Sequence, residues 1–522
     1  MKFFFSFIFL YSFFSIEAQT LRFQQTIGDK DAEAYSVLKT TGGGYVLSGK
    51  SWSHFNTDYD MFLAKLDSLG NILWKKTYGD LLVYEWETDI KKTKDGGYIL
   101  TGQSFDLNTF LSNTFIFKTD SLGNISWHKS FDGTFKYVIP TNNGYLFAGV
   151  ISDIGMGNND FYLVKTDLNG NVKWSKSYGG VMNDVLNSAL PYKNGWLLSG
   201  GSNSNTSGIA NNYFIQTDSN GNSIAEYEIG DTTEASAICV VKKNTGGFYV
   251  AGTLRLFDTL GLKHRVISLY QVNDSFQIVW QKTLTCGYHS DVQKIIITKP
   301  DDGIAICGTK YDTDSSTGDA FLIKTDSLGQ VYWCKTYGGA EEDKFNDLIQ
   351  MSDTGFAIAG TSKSFSSSSL NNIYLVKTDL NGNSYCNFSP KTVLTSPSYF
   401  STYSRHLTTD TGTIVATNNF TADTLSGHTV LCTSYITSVI SAEKEDVFHL
   451  FPNPTENTVK ITSEEEGVFY LQDIKGHQVF NSKIIIGTQE LSLRHLETGI
   501  YFWYTVDLKG NIFSKGKLML VK

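Results

Sequence analysis

The chain has 522 residues, a formal net charge of −9, 18% charged and 14% aromatic side chains, with 47 Gly and only 7 Pro. The aromatic content excludes a disordered chain, the scarcity of Pro excludes a proline-rich linker protein, and the lack of sustained heptads excludes a coiled coil. The negative charge argues against broad nucleic-acid binding, and the abundance of Gly, Tyr, Phe, Thr and Ser suits short strands joined by tight turns.

Residues 1–18 read as a signal peptide. Lys2 precedes an apolar run from Phe3 to Ile16, and cleavage after Ala18 leaves Gln19 first. The run is shorter than the roughly 20 residues a membrane helix needs, so no transmembrane segment is expected in the mature chain.

From there an internal repeat dominates. An aromatic or apolar residue, three mostly apolar or small residues and Gly recur at 45–49, 98–102, 145–149, 196–200, 248–252, 304–308 and 356–360. The copies lie 47 to 56 residues apart. After each comes Lys-x-Asp-x-x-Gly-Asn and an apolar strand with Trp, clear at 65–74, 118–127, 165–174 and 324–333. Asp218–Asn222 lacks the Lys and is followed by Ala225 where Trp is expected. The fifth copy has Asn273 for the Asp and no Gly, and the seventh has Cys386 in the Trp place. In the first unit this predicts strands over 35–39, 45–48, 61–66 and 72–78, with tight turns at 41–44 and 67–70. Four-stranded units at this period describe blades of a β-propeller. The fold class is therefore all-β, with a seven-bladed β-propeller of four-stranded blades over 19–388, the alternative being an open array or a different blade number. Phe23-Gln24-Gln25-Thr26-Ile27-Gly28 resembles Trp74-Lys75-Lys76-Thr77-Tyr78-Gly79 and is a spare fourth strand. It is expected to complete the seventh blade and so remove an exposed sheet edge.

The recurring Asp reads as a turn cap rather than a calcium ligand, since each is alone in its turn. The recurring Trp reads as packing between blades. Six Cys lie at 239, 286, 307, 334, 386 and 432 without a Cys-x-x-Cys. Cys386 and Cys432 flank one irregular segment and suggest a bridge, whereas the others fall on strands as buried thiols. No cofactor or metal site is expected.

Tight turns share one face of a meander; the longer loops between second and third strands share the other with the blade-to-blade connections. Variable loops on a rigid scaffold carry binding. The candidate binding face comprises Trp52, His54, Phe55, Tyr59, Tyr84, Trp86, Phe105, Phe110 and Tyr311, aromatic platforms among polar groups that suit a sugar or polymer. Acidic runs at 29–33 and 341–343 offer carboxylates of the type glycosidases use. No His-Glu-x-x-His, Gly-x-Ser-x-Gly or phosphate-binding glycine loop occurs.

Residues 389–446 read as a Ser/Thr-rich linker or small β appendage. From 447 to 522, strands over 459–461, 468–472, 478–480, 489–493, 499–506 and 515–521 are the scale of a small β-sandwich. Three motifs stand in this tail: Leu450-Phe451-Pro452-Asn453-Pro454, then Leu471-Gln472-Asp473-Ile474-Lys475-Gly476, then Leu496-Glu497-Thr498-Gly499-Ile500-Tyr501. The chain ends in Lys517-Leu518-Met519-Leu520-Val521-Lys522. This tail resembles the type A C-terminal sorting domain of the Bacteroidota type IX secretion system. The resemblance implies a sorting signal at Pro452, Asn453, Pro454, Asp473, Gly476, Gly499, Tyr501 and Lys522. It implies partners in the secretion machinery and a secreted or outer-membrane surface location after passage through the periplasm.

For the ring, the sequence favours a non-catalytic binding module for a glycan, protein or other polymer. A secreted polysaccharide hydrolase and a structural or adhesive surface component are the alternatives.

Overall fold

The computed structural model describes residues 22–28, 31–52, 59–79, 83–106, 112–152, 158–205, 208–230, 235–257, 261–313, 317–366, 370–397, 401–404, 409–410, 421–423, 428–434, 448–451, 455, 457–463, 466–473, 477–507 and 512–521. Residues 1–18, expected as a signal peptide, lie outside them. The chain divides into two compact units, 1–436 and 437–522.

In the first unit the repeat folds as expected. The first copy forms Ala32–Lys39, Tyr45–Trp52, Tyr59–Leu66 and Ile72–Gly79, an antiparallel meander. Among the described residues seven such sheets follow one another, over 32–79, 83–131, 134–178, 184–230, 235–285, 289–337 and 343–377. Each sheet packs against the next, and the first strand of sheet one packs against sheet seven, so the ring is closed. The fourth strand of sheet seven is Arg22–Ile27, paired antiparallel with Asn372–Lys377 from Phe23↔Lys377 to Ile27↔Ile373. The N-terminal strand thus closes the ring, as its likeness to the other fourth strands predicted.

The recurring residues explain how neighbouring sheets hold one another. Asp67 Oδ1 accepts from the amides of Leu69 and Asn71 at 2.9 and 2.8 Å, and Asp120, Asp167, Asp218, Asp326 and Asp379 act alike in their turns. Each turn is then gripped by the fourth strand of the preceding sheet. Gly123 has φ +78°, and a Cβ there would sit 3.0 Å from the Trp74 ring. Tyr78 donates to the Gly123 carbonyl at 2.6 Å, and Lys76 Nζ donates to Asn124 Oδ1 at 2.5 Å. Glycine serves twice here, for its left-handed backbone and for the missing side chain under an indole. The same contacts recur from Trp174 to Gly221 and from Trp333 to Gly382.

In the stretch expected as a linker or small β appendage over 389–446, the described residues form short strands. Six short strands lie along the outer edges of the sheets. Phe388–Lys391 pairs with sheet six, Leu394–Pro397 with five, Ser401–Ser404 with four, Thr409–Asp410 with three, Thr421–Asp423 with one and His428–Ser434 with seven. The segment is a belt that runs around the ring against the blade order. Outer strands would otherwise present unpaired amides and carbonyls, and a polar Ser/Thr strip satisfies them. Sheet two has four strands among the described residues.

The second unit has two sheets. One joins Phe448–Phe451, Thr458–Ser463 and Gly487–Ser492; the other joins Gln478–Ile484, Gly467–Gln472, Gly499–Asp507 and Ile512–Leu520. Val459, Ile461 and Leu491 from the first sheet share a core with Phe469, Leu471, Tyr501 and Leu518 from the second.

Candidate binding site

The expected binding face divides into two groups. Trp52 ends the second strand of sheet one and Tyr59 begins the third, so the two stand opposite each other in the ladder. Their rings meet edge-on at 5.0 Å, and Tyr59 meets Tyr84 of sheet two edge-on at 5.9 Å. Phe105 lies opposite Tyr84 in the next strand. This shelf of three rings therefore spans two sheets. Tyr311 belongs elsewhere, between sheets five and six. The Arg265 guanidinium lies 5.8 Å from its ring centre and is held by Asp291 at 2.7 and 3.0 Å. His54, Phe55 and Phe110 lie outside the described residues, as does the side chain of Trp86.

Polar groups surround the shelf. The Tyr59 hydroxyl donates to Asp31 Oδ2, and burial together with that carboxylate pushes its pKa well up. Lys50 Nζ stands 4.8 Å from the Tyr59 ring centre and 3.3 Å from Glu33 Oε1. Tyr35 donates to Glu33 Oε2 at 2.9 Å, and Asn371 Nδ2 donates to Glu33 Oε1 at 3.1 Å. Asp31 and Glu33 are thus tied into hydrogen bonds at the rim. Just before the first strand of sheet seven, Glu342 lies 2.8 Å from Lys344 and 3.1 Å from Lys363. Burial raises its pKa, but the two ammonium groups outweigh this and hold it below the usual carboxylate range. Asp343 is buried, and burial pushes its carboxyl up although Ser364 and the Gly339 amide donate to it at 2.6 and 2.9 Å.

A second feature escaped the sequence. The first strand of every sheet shifts register at an equivalent place, between Ala34/Ser36, Glu87/Asp89, Phe135/Tyr137, Leu186/Ser188, Ala237/Cys239, Val292/Lys294 and Phe345/Asp347. Such bulges re-aim side chains. Here they reach from sheet to sheet. Lys136 Nζ donates to Asn187 Oδ1 at 3.0 Å, and Asn187 Nδ2 donates to the Ala237 carbonyl at 3.1 Å. Asn346 Nδ2 donates to the Ala34 carbonyl at 2.7 Å. Asp347 Oδ2 accepts from the Val37 amide at 2.9 Å, and its other oxygen lies 3.2 Å from Lys294. Asp347 raises the Lys294 pKa against the effect of burial. The bulged residues differ in type, so no motif marks them in the sequence.

In the second unit Asp473 caps a turn, accepting from the His477 amide at 2.9 Å. Tyr501 is buried and donates to the Glu497 carbonyl at 2.8 Å, while Gly499 pairs with Leu520. Pro452, Asn453, Pro454, Gly476 and Lys522 lie outside the described residues.

Residues 449–518 match the family described as the secretion system C-terminal sorting domain. The chain carries that domain, which supports its being a type IX secretion cargo and indicates a secreted or cell-surface protein. Among the described residues no helix is long and apolar enough to cross a membrane. No curated protein matches the chain. Among solved structures, the extracellular domain of the one-component system BT4673 from B. thetaiotaomicron is similar at 10% identity, covering 94% of this chain and 81% of that one, with a TM-score of 0.20. A likeness of that size carries no inference.

Proposed function

We propose that the exported ring is a glycan-binding module whose ligand lies across the Trp52–Tyr59–Tyr84 shelf. The observation that carries this reading is the shelf itself, three aromatic rings bridging two sheets beside Lys50, Glu33, Asp31 and Asn371. Ring faces cover the apolar faces of sugars, and flanking amide, ammonium and carboxylate groups exchange hydrogen bonds with hydroxyls. The sorting motifs at Asp473, Gly499 and Tyr501, with Pro452, Asn453, Pro454, Gly476 and Lys522, then serve recognition by the secretion machinery, leaving the ring at the outer surface or released from it.

Titration of the mature full-length protein against a panel of neutral polysaccharides tests this. One glycan class is expected to bind, and Tyr84→Ala is expected to weaken it about tenfold or more, roughly 1.4 kcal/mol. An unchanged affinity in Tyr84→Ala and Trp52→Ala, or no binding by any glycan, overturns the proposal.

A further inference from the structure

Cys239, Cys286, Cys307 and Cys334 are free thiols, while Cys386 is disulfide-bonded. The sequence holds six cysteines, so the remaining one is Cys432. The backbone brings both to one residue of the closing strand. Gln24 Nε2 donates to the Cys386 carbonyl, and Gln24 stands opposite Cys432 in the ladder between Arg22–Ile27 and His428–Ser434.

We propose that Cys386 and Cys432 are joined in a disulfide that turns residues 386–432 into a closed covalent hoop around the ring. Almost the whole belt lies between the two cysteines. It passes the outer edges of sheets six, five, four, three, one and seven in that order, and sheets six and seven are neighbours. The bridge therefore sits beside one strand of sheet seven yet closes a strip that has left that sheet and come back to it. It joins the two ends of a strip that has travelled around the circumference. In forming it, each thiol loses a proton and the two sulfurs together lose two electrons as the Sγ–Sγ bond forms. A disulfide-class oxidant takes up both protons and both electrons and is itself reduced to two thiols.

Closure matters because the belt strands are weak singly. Thr409–Asp410 has two residues, Thr421–Asp423 three and Ser401–Ser404 four. Strands this short fray independently when their ends are free. A closed hoop cannot peel from one end, so each strand is held by all the others.

Peptide mapping of the unreduced full-length protein is expected to find Cys386 linked to Cys432, and hydrogen exchange then tests the hoop. Reducing the folded wild-type protein, or introducing Cys432→Ser, is expected to speed exchange of belt-facing amides in Ser223–Gly230 and Val172–Tyr178 by about tenfold or more. Inner strands such as Ala235–Lys242 should keep their protection. The reduction arm stands if the variant does not fold. A different pairing, alkylation of either thiol without reductant, or acceleration confined to Arg22–Ile27 overturns the proposal.

Discussion

Lysine in the repeat shows how one substituted turn residue changes a side chain's chemistry. Lys118, Lys324 and Lys377 each reach back to a carboxylate in the preceding turn, Asp95 at 2.7 Å, Asp301 at 2.5 Å and Asp353 at 2.8 Å. Burial pushes Asp95 up, but Lys118, Thr93 and the Gly97 amide outweigh it and hold the carboxyl at about 2. Sheet three has Asn143 where sheet two has Asp95, and Lys165 meets only the Thr141 hydroxyl at 3.1 Å and backbone carbonyls. Burial pulls Lys165 down to about 8, Lys173 adds to the effect, and Asp167 opposes it. A lysine whose folded pKa lies below its unfolded value of 10.5 penalises the fold while it is charged. Stability should therefore rise as pH goes from about 8 towards 10.5. Asn143→Asp is expected to lift the Lys165 titration and reduce that rise, read from thermal melts of both proteins across the window. Parallel pH responses would show that Lys165 is not the group concerned. The Lys-x-Asp pattern was plain in the sequence, but the missing partner in the previous turn was not, because it sits 22 residues away from Lys165.

At the level of the element, two departures from the repeat prove to be one. Ala225 stands where five other fourth strands carry Trp and Arg22–Ile27 carries Phe23, and the next turn has Phe276 where others have Gly. Phe276 is fully buried at φ +59° and stacks on Tyr227 at 4.3 Å, with Phe214 and Phe248 at 5.4 and 5.6 Å. The aromatic ring at this junction comes from the turn instead of the strand. Phe276→Gly alone should empty the junction and cost about 3–5 kcal/mol, as truncation of a buried Phe does. Ala225→Trp alone should overpack it by about 1–3 kcal/mol. The double variant restores the arrangement of the other junctions and should recover most of the loss in denaturant melts. Additive losses would show that the two positions do not share one space. Each oddity was legible in the sequence; their compensation needed the adjacency of successive sheets.

Across the whole molecule, periodicity decided what could be read. Seven copies of a glycine-bounded pattern announced seven sheets, and the match of Phe23–Gly28 to Trp74–Gly79 announced the closing strand. The belt gave no such signal. Its strands of two to seven residues mix Ser and Thr with Phe, Leu, Tyr and Val, carry no repeat, and pair through backbone groups that any residue supplies. The bulges around the inner strands were hidden for the opposite reason, since a register shift leaves the strand pattern in place while the residue types change. Removing residues 22–28 should leave Asn372–Lys377 with a free edge; aggregation and loss of a single cooperative melt are expected by light scattering and calorimetry. A monomeric, cooperatively melting truncation would mean the ring closes without that strand. The composition of sheet seven also sets a clock. It joins Arg22–Ile27 to Asn372–Lys377 and then to His428–Ser434. From whichever end the chain is delivered, these strands cannot pair until the sheets between them have followed. Sheet seven is therefore the last to be completed, and the sorting domain matched at 449–518 lies outside every strand that completes it.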